Sequence, residues 1–191
     1  MSEIVFLLEE YSAQAMLEGL LPRLLPPQFT VRYIVFEGKQ DLLTQLVRRL
    51  RGYQGTNVHF VILRDKDAAD CKKVKQELRK KCVQAGKPNA LVRIACHELD
   101  GWYLADLSAV SSGLEIGGLA KEQNRSKFRV PDDLANAAEE LGKLTKGVYQ
   151  KIAGSRAIGP LLDLDNSRSR SFSVFVAGIR RLISDEKSPP R

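Results

Sequence analysis

Val58-His59-Phe60-Val61-Ile62-Leu63-Arg64-Asp65-Lys66-Asp67 is the stretch from which the fold can be read. A short, nearly unbroken apolar run suits a strand buried on both faces, because a parallel sheet covered by helices leaves no solvent face to alternate with. The run stops at charge. The N-terminus repeats the pattern, with Ile4-Val5-Phe6-Leu7-Leu8 breaking at Glu9-Glu10. Two further runs rich in β-branched and apolar residues, Phe29 to Phe36 and Ala90 to Cys96, complete a set of four strands.

The intervening segments carry helical spacing instead. Ser12 offers an N-cap before Ala15, Met16, Leu17, Leu20 and Leu21. Leu42, Leu43, Leu46, Val47 and Leu50 mark a second helix, residues 68–85 a strongly basic third, and a fourth runs from Glu98 through Trp102 and Leu104. Strand and helix alternating over short connections predict an α/β fold, a mostly parallel sheet with helices on both faces. Functional groups in such sheets gather beyond the carboxyl ends of the strands.

Past residue 112 the pattern weakens. Residues 113–130 read as an exposed excursion, Pro131-Asp132-Asp133 as the acidic first turn of a helix, 156–171 as irregular, 172–184 as a closing amphipathic helix, and Ser188 to Arg191 as a frayed tail. The expected organisation is an α/β core over residues 1–112. A mainly helical C-terminal part, 113–191, packs on it as one compact unit. A length of 191 residues suits a single domain. No apolar run reaches the 18 residues of a membrane span, and Met1-Ser2-Glu3-Ile4-Val5 lacks the basic start of a secretory signal, so a cytoplasmic protein without membrane contact is expected. Cys71, Cys82 and Cys96 fit neither a metal knuckle nor a disulfide framework. A net charge of +7 suits an anionic partner such as nucleic acid.

Three of the four strands end in acid: Glu9 after the first, Asp65 and Asp67 after the third, Glu98 and Asp100 after the fourth. In a parallel sheet these carboxylates converge on one edge. Their mutual repulsion calls for a cation, and an all-oxygen donor set suits a hard divalent ion, Mg²⁺ or Mn²⁺. Such an ion can polarise a phosphoryl oxygen or activate water. Glu98, nearer the strand end than Asp100, is the one of the two expected to line the metal site, and Asp70 is expected to face solvent. Lys39 follows the second strand and faces the same edge, while Lys151, Arg156, Arg168 and Arg170 lie on polar segments suited to phosphate contacts. Trp102 reads as core. With neither GxxxxGK[ST] nor GxSxG, no P-loop and no nucleophile elbow are expected.

A strand ending in Glu, then a helix, then a strand ending in DxD resembles the TOPRIM domain of topoisomerases, primases and the overcoming-lysogenization-defect nucleases. Glu9 matches the motif Glu, while Glu10 stands where a Gly is usual and Ala13 where an acid is. The segments at 6–26, 38–42, 62–71 and 93–107, the Tyr149-Gln150-Lys151 triplet and Asn166 to Phe172 resemble a bacterial family of uncharacterised TOPRIM-like proteins, to about residue 184. The resemblance implies a Mg²⁺- or Mn²⁺-dependent nuclease. Asp65 and Asp67 would hold metal, Glu9 would hold a second ion or act as general base, and Glu98 would support them. It also implies nucleic acid, DNA or RNA, as partner, contacted by Lys39, Lys151, Arg168 and Arg170. An ATPase encoded nearby, an antiphage-defence setting and a homo-oligomer complete the expectation. The alternative is a non-catalytic regulatory or interaction subunit of an ATPase complex. Topoisomerase or primase action would need a further domain.

Overall fold

Alternating side chains along four strands sort themselves into two cores, one on each face of a single sheet. The computed structural model describes residues 2–187, the side chain of Lys187 excepted, so the tail expected at Ser188–Arg191 lies outside the described residues. The strands are β1 (Ser2–Leu8), β2 (Phe29–Val35), β3 (Val58–Asp65) and β4 (Leu91–Ala95), all neighbours parallel in the order β2-β1-β3-β4. Helices α1 (Tyr11–Leu20), α2 (Lys39–Gly52) and α3 (Cys71–Gln84) connect them in turn. Ile4, Phe6, Leu8, Val61 and Leu63 pack with Met16, Leu17 and Leu20 of α1. Val5, Leu7, Phe60, Ile62, Val92 and Ile94 pack with Leu46 and Leu50 of α2 and Leu78 of α3. Each such side chain contributes about 1.5–3 kcal/mol when fully buried, which is why the strands carry so little polar character.

The strand order has a consequence for function. From β1 the chain moves outward to β2, then returns past β1 to β3 and β4. The helices following β1 and β3 therefore cover opposite faces. At such a switch point a crevice opens beyond the carboxyl ends of the two strands.

The second half of the chain adds α4 (Asp100–Leu104), α5 (Leu107–Gly113), α6 (Leu119–Glu122), α7 (Ala137–Leu144), α8 (Lys151–Ile158) and α9 (Arg170–Lys187). These helices share the α1 core, to which Trp102, Tyr103, Phe128, Ile158, Phe172 and Phe175 all contribute. Among the described residues, no helix is long and apolar enough to cross a membrane.

Several local expectations are corrected. Helix α1 has Glu10, not Ser12, at its N-cap; Ser12 lies inside the first turn and its hydroxyl donates to Glu10 Oε1 at 2.8 Å. The basic helix begins at Cys71 rather than at 68, because Asp70, exposed as expected, caps it by accepting from Lys73 N at 2.8 Å. Residues 113–130 are not a plain excursion: Leu119 and Phe128 are buried, and Gln123 ties the segment down by donating to the carbonyls of Leu104 and Phe128. Pro131–Asp133 forms a 3-10 turn, and Asp132 serves another helix, accepting from Ser169 Oγ and from Ser171 N at the start of α9. Helix α8 runs to Ile158, into the stretch expected to be irregular, and α9 begins two residues earlier than expected.

Candidate functional site

The residues that follow β1 and β3 stand at the switch point of the sheet. Glu9 and Glu10 come directly after β1, and β3 ends at Asp65 with Asp67 two residues on. Alternation sends Glu9 and Asp65 to opposite faces, so the acids straddle the sheet edge. The loop carrying Asp67 is fastened to the extension of β4: Lys66 N donates to Ala95 O at 2.9 Å, and Asp67 N to His97 O at 2.8 Å. Both Asp67 (φ 53°) and His97 (φ 58°) adopt the left-handed conformation that this pairing requires.

Glu9 accepts from Asp65 N at 3.3 Å, and its Oε2 lies 3.6 Å from Arg64 Nε. Arg64 is 6% exposed, and its Nε is buried without a hydrogen-bond partner among the described residues. Burial raises the Glu9 carboxyl above its ordinary range; Arg64 opposes that rise, and Asp67 adds to it. Asp65 is held well above the usual carboxylate range, first by burial and then by Glu10 and Glu9. Its neighbour after β4 is Asp100, also raised by burial, while the Tyr149 hydroxyl donating to its Oδ1 at 2.5 Å works the other way. Carboxyl groups pushed upward together represent unbalanced negative charge in a site screened from water.

Two lysines answer part of that charge. Lys39, on the first turn of α2, donates to Asp67 Oδ2 at 2.9 Å, and Lys151, opening α8, donates to Glu10 Oε2 at 2.7 Å. Burial alone would lower the Lys151 ammonium, but its hydrogen bond to Glu10 and the charges of Glu10, Asp100 and Asp65 bring it above its usual value. Lys66 and His97 face each other at 3.2 Å beside the acids.

Glu9, Asp65, Asp67, Lys39 and Lys151 thus share one edge. Glu98 does not join them through its hydrogen bond: its Oε2 accepts from Ala138 N at 2.7 Å, in the first turn of α7. The acid that follows β4 into the buried cluster is Asp100. Arg168 is exposed in the turn before α9, and Arg170 lines a separate cavity beyond β4. Asp100, set behind Glu98 in the sequence reading, and Glu10, given no role there beyond standing where a Gly is usual, are the further acids that act on Asp65.

The donor chemistry fits a hard divalent cation, being all oxygen and carrying excess negative charge. Among the described residues, however, no group of three His, Cys, Asp or Glu side chains is already drawn together as a ligand set. Lys39 occupies Asp67 Oδ2, one of the oxygens such an ion would use.

The chain belongs to the family described as Domain of unknown function (DUF4276), which it matches over residues 8–180. No curated protein matches it. Among solved structures it is similar to the C-terminal region of the OLD protein of Xanthomonas campestris pv. campestris, at 16% identity, 98% coverage of both chains and a TM-score of 0.49. A likeness of that degree transfers no residue role.

Proposed function

We propose that the protein is a nuclease dependent on Mg²⁺ or Mn²⁺, hydrolysing phosphodiester bonds at the carboxyl edge of β1 and β3. The observation that carries this reading is the gathering of Glu9, Asp65 and Asp67 at the switch-point crevice, with Glu9 and Asp65 raised by burial. The resemblance of these acids to the TOPRIM pattern agrees with it. Asp65 and Asp67 would hold the ion, with Glu9 as a further ligand or as base. When bound, the ion supplies polarisation of the phosphoryl oxygen and a more acidic attacking water.

The chain's own residues would do the rest. A raised carboxyl suits a proton acceptor working near neutral pH, and Glu9 is the acid placed for that role. The buried Arg64 guanidinium beside it keeps part of the Glu9 population charged and orients the carboxylate. Lys39 and Lys151, released from Asp67 and Glu10, carry ammonium groups on either side of the crevice for the non-bridging phosphate oxygens. Tyr149 fixes Asp100 behind the site.

The test is cleavage of supercoiled plasmid and of total RNA in Mg²⁺ or Mn²⁺ by the wild type, Asp65→Asn/Asp67→Asn and Glu9→Gln. Wild-type cleavage falling by at least 10³-fold in the double variant, with its fold retained, is the expected result. Because the unprotonated form of Glu9 acts as base, wild-type rate rises as pH climbs through its raised pKa, and Glu9→Gln removes that rise. Undiminished cleavage by the folded double variant would refute the assignment.

A second reading is favoured by one observation, the two lysines seated on Asp67 and Glu10. It makes the chain a non-catalytic regulatory or interaction subunit of an ATPase complex, its acids neutralised by its own lysines rather than by a metal ion. Co-purification with an ATPase encoded nearby, with no cleavage by either protein alone or by the two together, would select this reading.

A further inference from the structure

Beyond β4, the edge strand of the sheet, α3 and α9 flank a cavity of about 300 Å³ whose lining includes Lys72, Lys75, Arg93 and Arg170. None of these four cations forms an ion pair among the described residues. The one acid in the lining, Asp132, is committed to Ser169 and Ser171 at the start of α9. Arg93 is fixed in place, its Nε donating to Val174 O at 3.0 Å and its Nη1 to Val92 O at 2.9 Å. Burial, together with the charge of Arg181, lowers the Arg93 guanidinium, and burial with Arg93 and Arg79 lowers the Lys75 ammonium. Ordinary surface lysines are hydrated and pay nothing for their charge. Here Arg93 and Lys75 are half-buried and partly dried, with the exposed Lys72 and Arg170 at the rim of the same cavity and no ion-paired acid among them, an arrangement that an incoming anion relieves.

We infer that this cavity is a phosphate-binding subsite for the backbone of the nucleic acid that reaches the acidic edge. Its position fits. Cys96, the residue after β4, lines it, and Asp65 pairs with Ala95 at the end of the same strand. One strand spacing of about 4.8 Å separates β3 from β4. The cavity on the far side of β4 is then roughly 10 Å from Asp65, or about three rises of 3.4 Å along a nucleic-acid strand. Lys72, Lys75 and Arg93 had no role in the sequence pattern, since the charges of the basic helix read there as a solvated face. What distinguishes them is the edge of the sheet, which brings α3, β4 and α9 together.

The subsite rests on the reading of the protein as acting on nucleic acid, yet its test needs no cleavage. Fluorescein-labelled 20-mer single strands and duplexes are titrated in EDTA over a range of salt, with fold checked by far-UV circular dichroism. Lys75→Gln/Arg170→Gln is expected to weaken binding at least tenfold and to flatten the slope of log affinity against log salt by about 1.4–1.8, the release from two phosphates. Lys72→Gln alone should flatten it by about half as much. Arg48→Gln/Arg49→Gln removes the same charge from the exposed side of α2, and should keep the wild-type slope. Equal losses in the two double variants, or none in either, would overturn the subsite. So would inorganic phosphate displacing the oligonucleotide as readily, phosphate for phosphate, as a competing strand does, because the cavity would then serve a free anion. Binding that depends on Lys75 and Arg170 in a protein whose wild type cleaves nothing in Mg²⁺ or Mn²⁺ would sustain the subsite while removing the nuclease reading.

Discussion

Asp65 shows how the residue scale governs the site. Its carboxyl is raised first by burial and then by Glu10 and Glu9, so the metal-free folded state binds a proton that the unfolded chain releases. Stability therefore falls as pH rises from the ordinary carboxyl value of about 4 through the raised one. In EDTA at pH 8, Asp65→Asn is expected to melt about 2–4 °C higher than the wild type, the shift that about 1 kcal/mol makes in a chain of this size. The difference should vanish near pH 3. Scanning calorimetry across pH checks this, and a variant less stable than wild type at pH 8 would contradict it. The positions of Glu9, Asp65 and Asp67 were legible because an apolar run that halts at an acid marks where a buried strand surfaces. The choice between Glu98 and Asp100 was not. It depends on the left-handed turn at His97, which directs one acid toward α7 and the other inward, and nothing in the local spacing signals that turn.

At the scale of elements, the sequence displayed the four strands and α2 with little distortion, since their large apolar residues recur at the period of the structure they form. Helix α8 was obscured for the opposite reason. Of its buried positions Gly154 and Ser155 are small and Ile158 alone is a large apolar residue, so no periodic apolar stripe marks the helix. The Tyr149 ring occupies the space a Gly154 side chain would need, and a Cβ on Gly159 would meet the backbone of Met16. Gly159→Ala is thus expected to cost about 1–3 kcal/mol, the range for overpacking against atoms that cannot yield. Gly142→Ala in α7, where a Cβ would meet nothing within 4 Å, should instead stabilise by about 0.5–1 kcal/mol. Urea denaturation of the two variants separates these outcomes; equal effects would mean that the α1–α8 contact is looser than described. The short helices between 113 and 133 were hidden similarly, being ordered by Gln123 and by the buried Leu119 and Phe128 rather than by any periodic stripe.

For the whole molecule, one core joins β1 and α1 to helices from the far half of the chain. Trp102, the single tryptophan, sits within it, its Nε1 donating to Ser171 Oγ at 2.8 Å. Its fluorescence and the far-UV dichroism should therefore report one coincident unfolding transition, and separated midpoints would divide the chain into independently folding parts. The same joining places Lys151 of α8 on Glu10 and Asp100 of α4 near Asp65, so the second half of the chain adds one cation and one buried acid to the edge built by β1 and β3. The measurement that tests the central claim most directly is calorimetric titration of Mn²⁺ and Mg²⁺ into the folded wild type and Asp65→Asn/Asp67→Asn. Saturable binding in the wild type, tighter as pH rises through the raised carboxyl values and absent from the variant, is the predicted result. Failure of the wild type to bind either ion at millimolar concentration, or equal binding by both proteins, would contradict it.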